Sequence, residues 1–475
     1  VTGRPPRIYN TLTRTKEDLA PITTGTIRMY VCGITVYDLC HVGHARSAIV
    51  FDVIRRYLTF KGYRVMFVKN FTDVDDRIIR RAQDEGVTAS EIAERYIAEF
   101  YRDMDAIGVL RGDVEPKATD HVADMVALIE RLLVGGFAYV VDGDVFFEIQ
   151  RFPPYGRLSG KNLEELLAGA RVEVDERKRD PRDFALWKAA KPGEPAWPSP
   201  WGQGRPGWHI ECSAMSMRYL GESFDVHGGG EDLVFPHHEC ELAQSEAATA
   251  KPFARYWIHN AFVNLGAEKM SKSLGNVLHI REIVKRHDPD ALRLWLLGAH
   301  YRSPIDFSED RLREAGRALE TLWGPLEQAR KYRGSETFEE AASRPLPDRF
   351  AAYRDGFVEA MDDDFNTSQA LGVLFNFAHA LNRDSLSIQD LIRGAGELSS
   401  LARVLGLNEP KPKIRDLPRA LSDRITALIQ ERTEARERRD FRRADEIRTQ
   451  LEQLGVLVRD TPAGPEWEWK GSRPR

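Results

Sequence analysis

His41-Val42-Gly43-His44 follows a short β-prone run, Ile27 to Val31 and then Cys32-Gly33, and opens a helical pattern at Ala48, Ile49, Phe51, Val53, Ile54, Tyr57 and Leu58. Two imidazoles and a glycine therefore stand on a strand-to-helix turn, where backbone N–H groups and the helix dipole favour anions. Far downstream, Lys269-Met270-Ser271-Lys272-Ser273 forms a short polar loop that ends at Gly275. Two lysines three apart on such a loop can close over a polyphosphate. Taken singly, an H-x-x-H or a K-x-x-K is usually a pair of satisfied or solvated side chains. In this order and spelling, the two describe a site that binds ATP and stabilises charge building up on its phosphates.

At 475 residues the chain has material for several domains with buried cores. A hydrophobic fraction of 42 % and a charged fraction of 30 % are ordinary for globular proteins. No apolar run approaches the roughly 18 residues of a membrane span, and Val1 to Arg7 lacks an apolar signal core, so a cytoplasmic location is expected. The net charge of −5 gives no global attraction to nucleic acid, so any RNA contact must come from local basic surfaces.

Four cysteines, Cys32, Cys40, Cys212 and Cys240, are too few and too scattered for a disulfide framework. Cys40 and Cys240 read as small buried hydrophobes or surface spectators. Cys32 and Cys212 each follow a strand-like segment expected at a sheet edge, Met29 to Gly33 and Trp208 to Cys212. Downstream come Gly228-Gly229-Gly230 with Asp232, then Pro236-His237-His238-Glu239-Cys240-Glu241. Pro236 suits the first turn of a helix, on which His237 and Glu241 share a face. Two thiolates, an imidazole and a carboxylate make a sensible zinc site. The residues alone do not choose His237 over His238, or exclude Cys240.

HVGH (for HIGH) and KMSKS resemble the signature motifs of class I aminoacyl-tRNA synthetases, and the whole pattern is similar to cysteinyl-tRNA synthetase. The resemblance implies zinc ligands at Cys32, Cys212, His237 and Glu241. It implies His41, His44, Lys269 and Lys272 as catalytic residues, with Gly43, Gly230 and Asp232 also on ATP. Substrate contacts fall on Gly33, Thr72, Trp208 and His209. The expected partners are L-cysteine, Mg-ATP and tRNA(Cys), with neither a membrane nor an obligate protein partner, and a monomer. Zinc suits such a substrate. Steric selection among small side chains supplies only about 1–3 kcal/mol, whereas a metal readily ionises a thiol and matches sulfur better than a hydroxyl. Four protein ligands normally mark a closed structural zinc, so the substrate sulfur would be a fifth ligand. The structural reading stays open here.

The expected fold is α/β: a split Rossmann-like parallel sheet with an inserted connective domain, then a helical bundle and a small C-terminal anticodon-binding domain. Its first half spans 1–114, the insertion 115–206 and the second half 207–266. The KMSKS loop and junction span 267–314, the bundle 315–409 and the terminal domain 410–475. Thr72 lies at the carboxyl end of a strand, where substrates bind in parallel sheets; Asp73 and Asp75 there equally suit helix caps. Asp290-Ala291-Leu292-Arg293 resembles the tag of the family's helical anticodon-side domain. Arg432, Arg436, Arg438, Arg439, Arg442 and Arg443, with Trp467 and Trp469, read as a solvated face or as a surface that clamps and stacks unpaired bases. Two other readings are a ligase that hands cysteine to an amino sugar and a silent tRNA-binding homologue.

Overall fold

The computed structural model describes residues 4–160, 175–265, 268–269, 278–334, 336–383, 385–410, 419–438, 440–461 and 464–469. Four strands form an all-parallel sheet, in the spatial order Ala254–Asn260, Phe224–Gly230, Thr26–Thr35, Arg64–Thr72. Their runs of Ile, Val, Phe, Tyr and Trp are buried on both faces, as a parallel sheet covered by helices requires. The Val42–Phe60 helix buries Ala45, Ile49, Phe51, Val53 and Ile54 in the core beneath the sheet. Between Arg64–Thr72 and Phe224–Gly230 the chain leaves for an antiparallel sheet of Ala138–Val141, Asp144–Phe147, Phe184–Ala189 and Gly204–Pro206. Its first hairpin turns at Asp142-Gly143, both with positive φ (51° and 85°), as two-residue hairpin turns demand.

Three local expectations change. Trp208 to Cys212 is no strand: it begins the Trp208–Leu220 helix, opened at Gly207. Alternating Trp208, Ile210 and Cys212 imitates a strand, but Ile210 through Ser216 are all buried, so the helix lacks the polar face that marks one in a sequence. Cys32 lies on an inner strand rather than at a sheet edge. Pro236 sits within a wide turn, Val234–His238, and the α-helix follows at Glu239–Thr249.

Helices Glu309–Arg330, Asp348–Asp362, Thr367–Arg383 and Ile388–Val404 pack beyond the sheet. The Pro289–Leu297 helix, capped by Asp288 and with Pro at its first position, carries Arg293 into the junction. Arg293 is fully buried, bonds Asp52 at 2.7 Å and donates to the carbonyls of Ile107 and Leu405. It thereby ties the Val42–Phe60 helix to the bundle. Replacing Arg293 by Met leaves Asp52 buried without this partner and the carbonyls without donors. The expected loss is about 3 kcal/mol, read as a thermal unfolding midpoint several degrees lower; an unchanged midpoint would show that Arg56, which bonds Asp52 at 2.9 Å, suffices alone.

Arg419–Glu437 and Phe441–Gln453 pair as helices over a small core of Ile425, Leu428, Ile447, Leu451, Val456 and Val458, beside the Val456–Thr461/Gly464–Trp469 hairpin. Arg438 and Arg442 pair with Glu434 and Glu446, Arg443 bonds Glu431 at 2.7 Å, and Arg432 is buried. Arg439 and the side chains of Trp467 and Trp469 lie outside the described residues.

Candidate active site

The carboxyl ends of the parallel strands open into a cleft of about 1580 Å³. Its walls include Gly33, His41, Gly43, His44, Trp208, Gly230 and Asp232. The HVGH turn is held by its own side chains: His41 Nδ1 accepts from the Gly43 N–H, and His44 Nδ1 accepts from the His41 N–H, both at 3.1 Å. The rings stack with centroids 3.7 Å apart. Because each Nδ1 accepts, the ring proton of each neutral imidazole resides on Nε2. The turn thus caps the Val42–Phe60 helix and supplies two ring donors at its positive end. Gly43 has no room for a side chain, since a Cβ would lie 2.9 Å from the His41 ring.

The chain that follows the second motif returns to the first. Lys269 ends a two-residue strand paired with Asn264, and Met270 to Ser273, Lys272 included, lie outside the described residues. Just beyond, Val42 N–H donates to Leu278 and Ile280 N–H donates to Cys40, so 278–280 is fastened along the HVGH turn. Arg46, which the sequence reading did not single out, fixes the same turn from beneath. Fully buried, it donates to the carbonyls of Ala261, Leu296, His300 and Ser303.

On the other side of the sheet, Cys32, Cys212, His237 and Glu241 bring one ligand atom each within 4.8 Å of one another, all buried. Cys32 comes from an inner strand and Cys212 from the Trp208–Leu220 helix. His237 and Glu241 stand one helical turn apart, with Nε2 and Oε1 at 3.0 Å. Burial would depress His237, but the Glu241 carboxylate and Cys212 raise it to about 10. Burial would raise Cys212, yet its hydrogen bonds from Cys32 and His237 bring it down to about 6. Burial pushes Cys32 up, with the Cys212 thiolate beside it. Glu241 is held low despite burial by His227 and His237. The four residues can hold a metal ion. Cys240 is not among them: its thiol turns to the Tyr155 hydroxyl at 3.3 Å. His238 instead bonds His259 at 2.8 Å through Nδ1, while its Nε2 has no hydrogen-bond partner. Cys32, His227, His238 and Glu241 form an overlapping second group.

Around the cluster, His209 Nδ1 meets His237 Nδ1 at 3.0 Å and fixes that ring; burial and His237 push His209 down to about 3, so it is neutral. Trp208 lies over His237 with centroids 4.2 Å apart. Gly33 donates to Asn70 Oδ1 at 2.8 Å, and a Cβ there would lie 1.5 Å from the Asn70 carbonyl oxygen. Thr72 Oγ1 donates to Glu211 at 3.0 Å. Asp75 caps the Asp76–Glu85 helix, whereas Asp73 accepts from the Thr119 N–H and hydroxyl and so closes a neighbouring turn. Asp232 folds back over Gly230, where a Cβ would meet its carboxylate at 2.5 Å. Asn70, His227 and Glu211 escaped the sequence reading; only the run Glu211-Cys212, a carboxylate beside a candidate ligand, offered a signal.

Residues 18–317 match the family of class I (C) tRNA synthetase catalytic domains, 356–409 the DALR domain, and 419–467 the cysteinyl-tRNA ligase anticodon binding domain. A cysteine–tRNA ligase of Geobacter metallireducens is 53 % identical over 98 % of this chain and 99 % of its own length. The chain belongs to the cysteine–tRNA ligase family. A second member, from Thermodesulfovibrio yellowstonii, is 50 % identical over 98 % of this chain and 99 % of its own. The fold is also that of Mycobacterium tuberculosis methionyl-tRNA synthetase bound to methionyl-adenylate, at a TM-score of 0.56 and 16 % identity over 80 % of this chain and 90 % of that one. As a cysteine–tRNA ligase family member, the chain combines the HVGH cleft with a thiol-rich cluster whose Cys32 also lines that cleft. No helix among the described residues is long and apolar enough to cross a membrane.

Proposed function

We propose that the protein joins L-cysteine to tRNA(Cys) in two steps at this cleft. The observation that carries the reading is the buried Cys32, Cys212, His237 and Glu241 cluster beside the HVGH turn, in a chain that matches cysteine–tRNA ligases throughout its length. The donor set suits zinc: two thiols, an imidazole and a carboxylate converge with their ligand atoms within 4.8 Å of one another. Cys32, Cys212, His237 and Glu241 would hold the ion, which would supply a Lewis acid that favours a thiolate over a hydroxyl.

In the first step the cysteine carboxylate attacks the α-phosphate of Mg-ATP in line and pyrophosphate leaves. His41 and His44 donate to the phosphates through Nε2–H; Gly43 lets the backbone approach, and Lys269 and Lys272 grip the β- and γ-phosphates. Asp232 and Gly230 receive the ribose, while Gly33, Thr72, Trp208 and His209 line the cysteine pocket. Positioning and electrostatics carry such transfers, so no protein nucleophile is needed. In the second step a ribose hydroxyl of the terminal adenosine attacks the adenylate carbonyl and AMP leaves. The insertion at 115–206 splits a catalytic unit of 1–114 and 207–266; 267–314 forms the junction, 315–409 the bundle and 410–475 the anticodon-binding unit.

Labelled cysteine, bulk bacterial tRNA and Mg-ATP are expected to give acid-precipitable radioactivity that serine does not, and that a zinc chelator abolishes. Cysteine-dependent pyrophosphate exchange without tRNA charging would favour a small-molecule acceptor, against which the anticodon-domain match at 419–467 argues. Lys272→Ala is expected to slow cysteine-dependent pyrophosphate exchange about 10²-fold while leaving cysteine binding nearly intact. Exchange at the unaltered rate would remove the lysine from the reaction.

A further inference from the structure

Nearly every buried carboxylate near the site has its charge answered. Asp52 meets Arg293, Asp225 accepts from two backbone N–H groups, Glu239 accepts from the backbone at Gly156 and Ser159, and Glu241 meets His227 and His237. Glu211 is different. It is 1 % exposed, its Oε2 accepts a hydrogen bond from the Thr72 hydroxyl at 3.0 Å, and among the described residues no Lys, Arg or His forms an ion pair with it. A carboxylate withdrawn from water with only a hydroxyl partner is costly unless a cation reaches it. Glu211 borders a cavity of about 670 Å³ that it shares with Trp208 and His209, and the two cations on its walls, Lys188 and Arg205, are engaged by Asp76 and Glu194. Trp208 is also a wall of the nucleotide cleft, so one side chain borders both that cleft and the cavity on which Glu211 stands.

An amino acid brings the missing cation. In cysteine the α-ammonium is three bonds from the sulfur, and Glu211 neighbours the metal-ligand candidate Cys212 in sequence while bonding Thr72, a substrate contact in the reading above. We propose that Glu211 accepts the α-ammonium of the substrate through a charge-assisted hydrogen bond, with Thr72 orienting the carboxylate. This rests on the cysteine-activating reading and extends it: the cluster selects for sulfur, and Glu211 selects, among thiol acids, the one carrying an amino group. Thiol acids without nitrogen gain nothing from Glu211 and bind more weakly than cysteine by the value of that bond.

The test compares cysteine with 3-mercaptopropionate, the same molecule without its amino group. KM for cysteine is measured in ATP–pyrophosphate exchange, and the inhibition constant of 3-mercaptopropionate against it. In Glu211→Gln, KM for cysteine is expected to rise about 10²-fold, with KM for ATP, metal content and inhibition by 3-mercaptopropionate unchanged. Glu211→Asp keeps the charge one carbon back and is expected to fall between the two, which also serves if the glutamine variant does not fold. An unaltered KM for cysteine overturns the proposal, and so does an equal weakening of both ligands together with metal loss, the pattern of a merely structural residue. Absence of cysteine-dependent exchange in the unaltered enzyme overturns the ligase reading itself.

Discussion

Cys212→Ser is expected to strip the protein of metal and of its affinity for cysteine in one change, lowering kcat/KM for cysteine in pyrophosphate exchange by at least about 10³-fold, or about 4 kcal/mol. The substitution is nearly isosteric, so the Trp208–Leu220 helix keeps its packing. What changes is ionisation: the thiol of Cys212 is held at about 6, whereas a serine hydroxyl stays protonated and ligates poorly. KM for ATP should be unchanged, because the HVGH turn is built from other elements. Metal content by atomic absorption, read beside cysteine KM, decides the role of the ion. Loss of metal with retained cysteine affinity would make the metal structural. Cys240→Ser is the control. Its thiol faces Tyr155 rather than the cluster, so metal content and cysteine KM should both hold.

The two functions of His44 are separable by substitution, and together they make its removal severe. Its Nδ1 accepts the His41 N–H and caps the helix; its Nε2–H is the donor assigned to phosphate. His44→Ala removes both, and is expected to lower kcat for adenylate formation about 10²–10³-fold and stability by about 1 kcal/mol. Asn places an oxygen near the Nδ1 position, and Gln places an amide near Nε2. His44→Asn should therefore restore the melting temperature without the activity, and His44→Gln should recover activity without full stability. Equal behaviour of the two amides in both measurements would refute the division.

What the sequence could reveal depended on how far each residue's meaning travels. The HVGH turn was legible because its strand, turn and helix are contiguous and its residue types are rare together. The four cluster residues were legible as types, and the i, i+4 relation placed His237 and Glu241 on one face. Choosing His237 over His238 needed geometry: the two differ by where neighbouring helices and strands put His209 and His259. Arg46 read as an ordinary helix arginine, and Arg293 as one letter of a tag with no partner named, since their carbonyl partners are supplied by remote chain segments. Trp208 to Cys212 misled because the burial of Ile210 through Ser216 erased the helical polarity pattern. Glu211 offered only its place beside Cys212 as a signal, for a related reason: a carboxylate's solitude is a property of its surroundings.

Two of the four residues assigned to the metal are cysteines, Cys32 and Cys212. A cysteine–tRNA ligase is itself translated with the product it makes. Each new copy thus receives its own metal-binding thiols from tRNA charged by older copies. Were serine let through, it would enter new enzyme at these two positions, and the copies carrying it would be those unable to hold the ion. Errors in charging are therefore inherited by the machine as lost activity rather than as continued error. Fidelity in this protein is heritable without any gene changing, and it is renewed only by molecules that were made correctly.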